Sequence, residues 1–317
     1  MSYNEDYVIY GRRPVLIAGP TASGKSELAM RIAERDDGCV INADALQVYD
    51  CWRVLSARPS EADCARVPHA LYGTVDARTR HSVGAWLRDV AALLERLAAC
   101  GQRPVIVGGT GLYLSALTEG LAEIPEIDPE VRADSQRRID SGLLSGMLSE
   151  LAARDHRTYG RMDRANPVRV QRAWEVLVST GRPLSSWQDE TPPPLLPRAA
   201  CDAIVLSPEI PVQHRAVEAR FRRMVPEGAL AECRAFLAAG TPRDLPSARA
   251  LGAEQLFAHL DGAIDLETAI LEAVIATRQF SKRQRSWFRG RMADWRWLSP
   301  GTDDLLAAVP PDRPLAQ

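Results

Sequence analysis

Gly19-Pro20-Thr21-Ala22-Ser23-Gly24-Lys25-Ser26 fits the pattern G-x-x-x-x-G-K-[ST]. An apolar run, Pro14-Val15-Leu16-Ile17-Ala18, precedes it, and a stretch with helical periodicity, Glu27 to Arg35, follows it. Strand, glycine turn and helix in that order are the context in which this motif cradles phosphate. Gly19 and Gly24 let several backbone N–H groups point inward, and together with the helix N-terminus these favour an anion. Lys25 adds a compact positive charge, and the Ser26 hydroxyl is suited to Mg²⁺. The loop is therefore expected to bind a phosphate or diphosphate through Gly19, Pro20, Thr21, Ala22, Ser23, Gly24, Lys25 and Ser26. The bland alternative is a glycine turn without a ligand. The motif does not say which phosphate compound is bound.

Two more apolar runs end in polar turns. Cys39-Val40-Ile41-Asn42 leads to Asp44, and Val105-Ile106-Val107 leads to Gly108-Gly109-Thr110-Gly111. Ligands of an open α/β sheet collect at the carboxyl ends of its strands, so Asp44 and Thr110 are expected beside the phosphate loop. A capping role is the alternative for each. Residues 53–81 read as irregular, and a helix is expected from His81-Ser82 to Cys100. From Pro129 to about Thr180 the periodicity is helical, and a proline cluster at 192–197 marks an exit. Residues 123–200 therefore read as a helical insertion. Ala203-Ile204-Val205-Leu206 is a further strand. Helices then end near Pro226 and Gly240, resume over 249–260, and start again at Asp265. The expected organisation is an α/β core of 13–122 and 201–300, an insertion of 123–200, and tails of 1–12 and 301–317.

The last helix places Arg278, Lys282, Arg285 and Arg289 on one face. Seven basic residues and one acidic residue lie between 278 and 296. With Trp287 and Phe288 close by, this face reads as a contact for a phosphate backbone, the alternative being a solvated amphipathic face. A second cluster, Arg161, Arg164, Arg169 and Arg172, reads by itself as solvated. The formal net charge of the 317 residues is −2, which argues against non-specific nucleic-acid binding and leaves room for a local basic face. Six cysteines without a C-x-x-C pair make a zinc site or disulfide framework unexpected. The N-terminal residues do not resemble a signal peptide, and no apolar run is long enough to span a bilayer, so a cytoplasmic protein without membrane contact is expected.

Several segments together resemble the tRNA dimethylallyltransferases, also called tRNA isopentenyltransferases. They are the phosphate loop, Asn42 to Tyr49, Val107-Gly108-Gly109-Thr110-Gly111-Leu112-Tyr113, Asp128 to Arg132, and Thr277-Arg278-Gln279 through Trp287-Phe288-Arg289. The resemblance covers about 14–298 in the family's order. It implies a P-loop NTPase-like parallel sheet flanked by helices, with a helical insertion domain. It also implies transfer of the dimethylallyl group of dimethylallyl diphosphate to N6 of adenine 37 in the tRNA anticodon stem-loop, with Mg²⁺. Nothing in the sequence suggests an obligate partner, so a monomer is expected. Asp44 is then the catalytic base, Thr110 lies near the reacting amine, and Lys25 and Arg220 meet the diphosphate. Asp44, Ala45, Leu46, Gln47, Thr110 and Arg132 would face RNA. So would Val168, Arg169, Val170, Gln171 and Arg172, together with Arg249, Arg278, Lys282, Arg283 and Arg285. Ala45 replaces the family's common Ser, and Ala253-Glu254 replaces its aromatic-basic pair. Two rival functions are a small-molecule P-loop kinase and an RNA-binding NTPase, both of which would turn over a nucleotide.

Overall fold

The computed structural model describes residues 12–312. Residues 1–11 and 313–317, which make up most of the expected tails, lie outside that range. Contacts divide the chain into two compact units, Glu119–Pro194 and the chain on either side of it.

The larger unit is built on six parallel strands in the order β3-β2-β4-β1-β5-β6. They are β1 Val15–Ala18, β2 Gly38–Asn42, β3 His69–Ala70, β4 Arg103–Gly108, β5 Asp202–Leu206 and β6 Arg296–Leu298. The helices up to the smaller unit are α1 Lys25–Arg35, α2 Glu61–Arg66, α3 Val83–Cys100 and α4 Gly111–Glu119. The central strands are continuous apolar runs because both faces of the sheet are covered. Val15, Ile17, Val40, Val105 and Val107 turn to one side, where Leu28 and Ile32 of α1 close the layer. Leu16, Ala18, Ile41 and Ile106 turn to the other side, toward Trp86, Val90 and Leu94 of α3 and Leu114 of α4.

The smaller unit holds α5 Pro129–Asp140, α6 Leu144–Arg154, α7 His156–Arg161, α8 Pro167–Thr180 and α9 Leu184–Asp189. Asn166 caps α8 by accepting from the Arg169 N–H, and Pro167 opens the helix where a missing N–H costs nothing. Met147, Leu151, Val170, Ala173, Trp174 and Leu177 form its core. The Trp174 indole donates to Glu150 at 2.7 Å, and Arg138 stacks on the ring while pairing with the same carboxylate.

After β5 come α10 Ile210–Met224, α11 Leu230–Ala238, α12 Ala253–Leu260 and α13 Leu266–Arg291. α10 and α11 are joined by a wider turn, Val225–Ala229, in which Gly228 has a φ of 126°. That break falls where Pro226 was expected to end a helix.

Two short elements, α2 and β3, occupy a segment read as irregular, and β6 is a short strand after the last helix, inside the expected core. The tail expected from 301 onward is also corrected in its described part. Ala308 and Val309 are buried in the α1 layer, and Asp312 pairs with Arg12. At the amino ends of the strands lies a buried ionic knot. Arg103 pairs with Asp36 at 2.6 Å and Asp202 at 2.8 Å, and donates to the Pro310 carbonyl. All six cysteines are free; Cys64 and Cys100 are exposed, and Cys39, Cys201 and Cys233 are buried.

Candidate active site

The loops at the opposite, carboxyl ends of the strands line one cavity of about 500 Å³. Its wall includes Thr21, Lys25 and Ser26 from the glycine loop, Asp44 to Gln47 after β2, and Gly109 to Leu112 after β4. Gly24 holds the cap of α1 at a φ of 83°, in the left-handed region, and Ala22 is also left-handed at 61°. Successive turns of that kind gather N–H groups into one concavity, and the first turn of α1 adds N–H groups that have no helical partner. The loop is thus built for an anion.

Asp44 is fixed by its own strand. Its N–H donates to Asn42 Oδ1 at 2.8 Å, and its Oδ1 accepts from the Leu46 N–H at 3.0 Å. Asn42 Nδ2 donates to the carbonyls of Asp44 and Leu71. Behind the turn, the buried Trp86 donates to the Asn42 carbonyl at 2.8 Å and stacks on Tyr113. Thr110 reaches across from the neighbouring loop, where its hydroxyl accepts from the Ala45 N–H at 2.9 Å. A carboxylate and a hydroxyl are therefore presented side by side by two different loops.

Two cations complete this part of the wall. Burial pushes the Lys25 ammonium down to about 8, against the pull of Asp44 and with added repulsion from Arg220. Burial likewise lowers Arg220 from its ordinary range, opposed by Asp44. Each cation thus feels the same carboxylate. Leu55, Leu112, Val217, Phe221, Met224, Phe280 and Trp287 supply an apolar lining to the same cavity. It can take a ligand with an anionic head and a small hydrocarbon tail.

The expected RNA-facing residues divide. Asp44, Ala45, Leu46, Gln47, Thr110, Arg249 and Arg283 all line the cavity. Lys282 is exposed on α13. Arg278 is tied to Glu218 at 2.9 Å, and the buried Arg285 donates to Gln213. In the smaller unit Arg132, Val168, Arg169 and Arg172 are exposed. Val170 corrects the expectation for its side chain, which is fully buried in the helical core because it lies on the apolar stripe of α8.

His81, read from sequence only as part of a cap, also lines the cavity; Ser82 is the residue that caps α3. Burial holds its imidazole below the usual histidine value, outweighing the pull of Asp89. Gln213 and Gln284 were missed as well, and both bond to the glycine loop. Among the described residues no three His, Cys, Asp or Glu side chains gather as a metal site. Nor is any helix there long and apolar enough to cross a membrane.

Comparisons with known proteins point to one family. A family model described as IPP transferase matches residues 47–291, and one described as isopentenyl transferase matches 13–70. The chain is 57% identical over 283 residues to a tRNA dimethylallyltransferase of Cereibacter sphaeroides, covering 89% of this chain and 88% of that protein. It is 56% identical to one from Dinoroseobacter shibae, covering 92% and 96% of the two chains. Among solved structures, a tRNA isopentenylpyrophosphate transferase from Bacillus halodurans superposes with a TM-score of 0.64 at 28% identity, over 90% of this chain and 89% of that one. A eukaryotic dimethylallyltransferase acting on tRNA shares the fold, with a TM-score of 0.75 at 21% identity, over 90% and 73% of the chains.

Proposed function

The chain belongs to the tRNA dimethylallyltransferase family, and from that membership and its cavity we propose how it works. It moves the dimethylallyl group of dimethylallyl diphosphate onto N6 of adenine 37 in tRNAs that read U-starting codons, giving N6-isopentenyladenosine and diphosphate. One observation carries the reading: Asp44 and Thr110 share a cavity with Lys25, Ser26 and Arg220, and the same cavity has an apolar lining.

An adenine N6 amine is a weak nucleophile because its lone pair is delocalised into the ring. As the C–N bond forms, the amine must lose a proton, and Asp44 is the base that accepts it. Thr110 holds the Ala45 peptide and stands beside the amine. As the allylic C–O bond breaks, negative charge builds on the diphosphate and positive charge on the allyl carbon. The loop N–H groups, Lys25 and Arg220 stabilise the first. The apolar wall, including Phe280 and Trp287, shelters the second. The Ser26 hydroxyl, exposed at the first turn of α1, fits Mg²⁺, an ion that takes few protein ligands and keeps its waters and phosphate oxygens. When bound, Mg²⁺ would neutralise charge on the leaving diphosphate.

The base must leave the anticodon stack to enter the cavity. Arg249, Lys282 and Arg283 of the larger unit, and Arg132, Val168, Arg169, Gln171 and Arg172 of the smaller unit, would hold the RNA. The protein would act in the cytoplasm as a monomer.

The test incubates the protein and Mg²⁺ with unmodified tRNA and either labelled dimethylallyl diphosphate or labelled ATP. Label entering tRNA from the diphosphate supports the reading. ATP turnover without prenyl transfer would overturn it in favour of a kinase or an NTPase.

A further inference from the structure

Two glutamines, Gln213 outside every matching segment and Gln284 inside the last one but given no role by it, tie three segments of the cavity together. Gln284 of α13 accepts from the Thr21 N–H at 2.9 Å and donates through Nε2 to the Gly109 carbonyl at 2.8 Å. Gln213 of α10, fully buried, donates to the Thr21 carbonyl at 2.8 Å, and its Oε1 accepts from the buried Arg285. Both polar groups of the Thr21 main chain are thereby held, one from each helix. A Cβ on Gly109 would lie 2.3 Å from Gln284 Nε2, so glycine is what lets the amide close on this turn.

The chemistry gives such a bracket a purpose. The leaving diphosphate belongs to the loop after β1, and the attacking amine belongs to the turns after β2 and β4. Loops move unless several contacts over-determine them. A primary amide accepts at one end and donates at the other, which is what bridging an N–H to a carbonyl requires. Fixed placement of reacting groups lowers the barrier more than it changes ground-state binding.

We propose that Gln284 is a positioning residue, supported by Gln213 and Arg285, and that it holds the diphosphate site and the amine site in register. The proposal rests on the transferase reading of this cavity. Arg285 therefore acts from inside the protein, behind Gln213.

The test uses the whole chain. Gln284→Met keeps the side chain's length and removes both hydrogen bonds without adding charge. Gln213→Glu keeps an acceptor for Arg285 and removes the donor to Thr21. Three quantities are measured: prenyl-transfer kinetics, affinity for inorganic diphosphate, and hydrogen exchange of the 19–24 backbone. For Gln284→Met, kcat should fall at least about tenfold, while KM for tRNA and Kd for diphosphate stay within about threefold. Exchange at Thr21 should rise about tenfold or more, with β1 and β4 as slow as in the wild type. Gln213→Glu should shift the same quantities in the same direction. A kcat within about twofold of wild type would overturn the proposal. So would a joint fall of kcat, diphosphate affinity and melting temperature, which marks a merely structural role. If the wild type transfers no label, the transferase reading fails and exchange alone decides the bracket. A rise confined to the loop upholds it, and unchanged exchange overturns it.

Discussion

At the scale of single residues, the proposed reaction turns on one carboxylate and one lysine. Asn42, Leu46 and the Trp86 support orient the Asp44 turn, so a change of charge at Asp44 alters the chemistry with little change of shape. Asp44→Asn should lower kcat by about 10²–10⁴-fold, the usual contribution of a general base, while diphosphate still binds. Near-normal turnover would remove Asp44 from the mechanism. On the proposed reading, Lys25 sets a pH limit on diphosphate binding. Its ammonium titrates near 8 in the free protein, so it is charged below that value and loses its charge above it. Once the titration of diphosphate itself is allowed for, its affinity, measured by calorimetry, should be flat below about pH 8. Above it, affinity should fall by up to about tenfold per pH unit until the higher pKa that Lys25 acquires beside the anion. Asp44, Thr110 and Lys25 could be read from sequence because each sits in a short local pattern at a strand end. Gln213 and Gln284 could not, because their partners lie 192 and 263 residues away and an amide leaves no periodic trace.

At the scale of elements, α13 shows what periodicity can and cannot tell. Four cations at helical spacing do share a stripe, yet packing divides them. Arg285 is buried and Arg278 half-buried, and Lys282 and Arg289 face solvent. The division was hidden because the buried face changes character along the helix. It is Ile270 and Val274 at the start, then Thr277, Ser281 and Gln284, which read as polar. Replacing Lys282 and Arg283 by Gln should weaken tRNA binding and reduce the slope of log K against log salt by about one per lost phosphate contact. The melting temperature should stay unchanged. Arg285→Met should instead leave that slope alone and cost about 1–3 kcal/mol of stability, since Gln213 would keep a buried acceptor without a donor. A filter-binding salt titration and a thermal melt separate the two classes. The short α2, β3 and β6 escaped notice for a simpler reason. Two- and three-residue strands carry no alternation to detect, and α2 buries none of its side chains.

At the scale of the whole larger unit, the two ends of the sheet do different work. Loops gathered at the carboxyl ends make the cavity, and a charged knot locks the amino ends. Burial alone would raise the Asp36 carboxyl, but Arg35 and Arg103 outweigh it and hold it below the usual range. Its stabilising contribution is therefore complete at neutral pH and is lost as pH falls through that lowered value. Arg103→Met leaves Asp36 and Asp202 without this shared partner. It should cost about 3–5 kcal/mol by chemical denaturation while the folded fraction keeps its diphosphate affinity. The parallel sheet and its open crevice were legible, since buried parallel strands are continuous apolar runs between turns. The knot was not, because Arg103 and Asp202 look like ordinary strand flanks until the register brings β4 and β5 to either side of β1, with both residues at its amino end.

The uneven exposure of the six thiols has a practical use. Burial raises Cys39 to about 11 and Cys51, Cys201 and Cys233 to about 12, leaving them protonated and slow to alkylate at neutral pH. Cys64 near the end of α2 and Cys100 at the end of α3 are the two that a maleimide reaches first. The natural protein thus comes with two addressable handles, both outside the cavity wall. A donor–acceptor dye pair or two nitroxides could be installed on the larger unit without engineering a single residue.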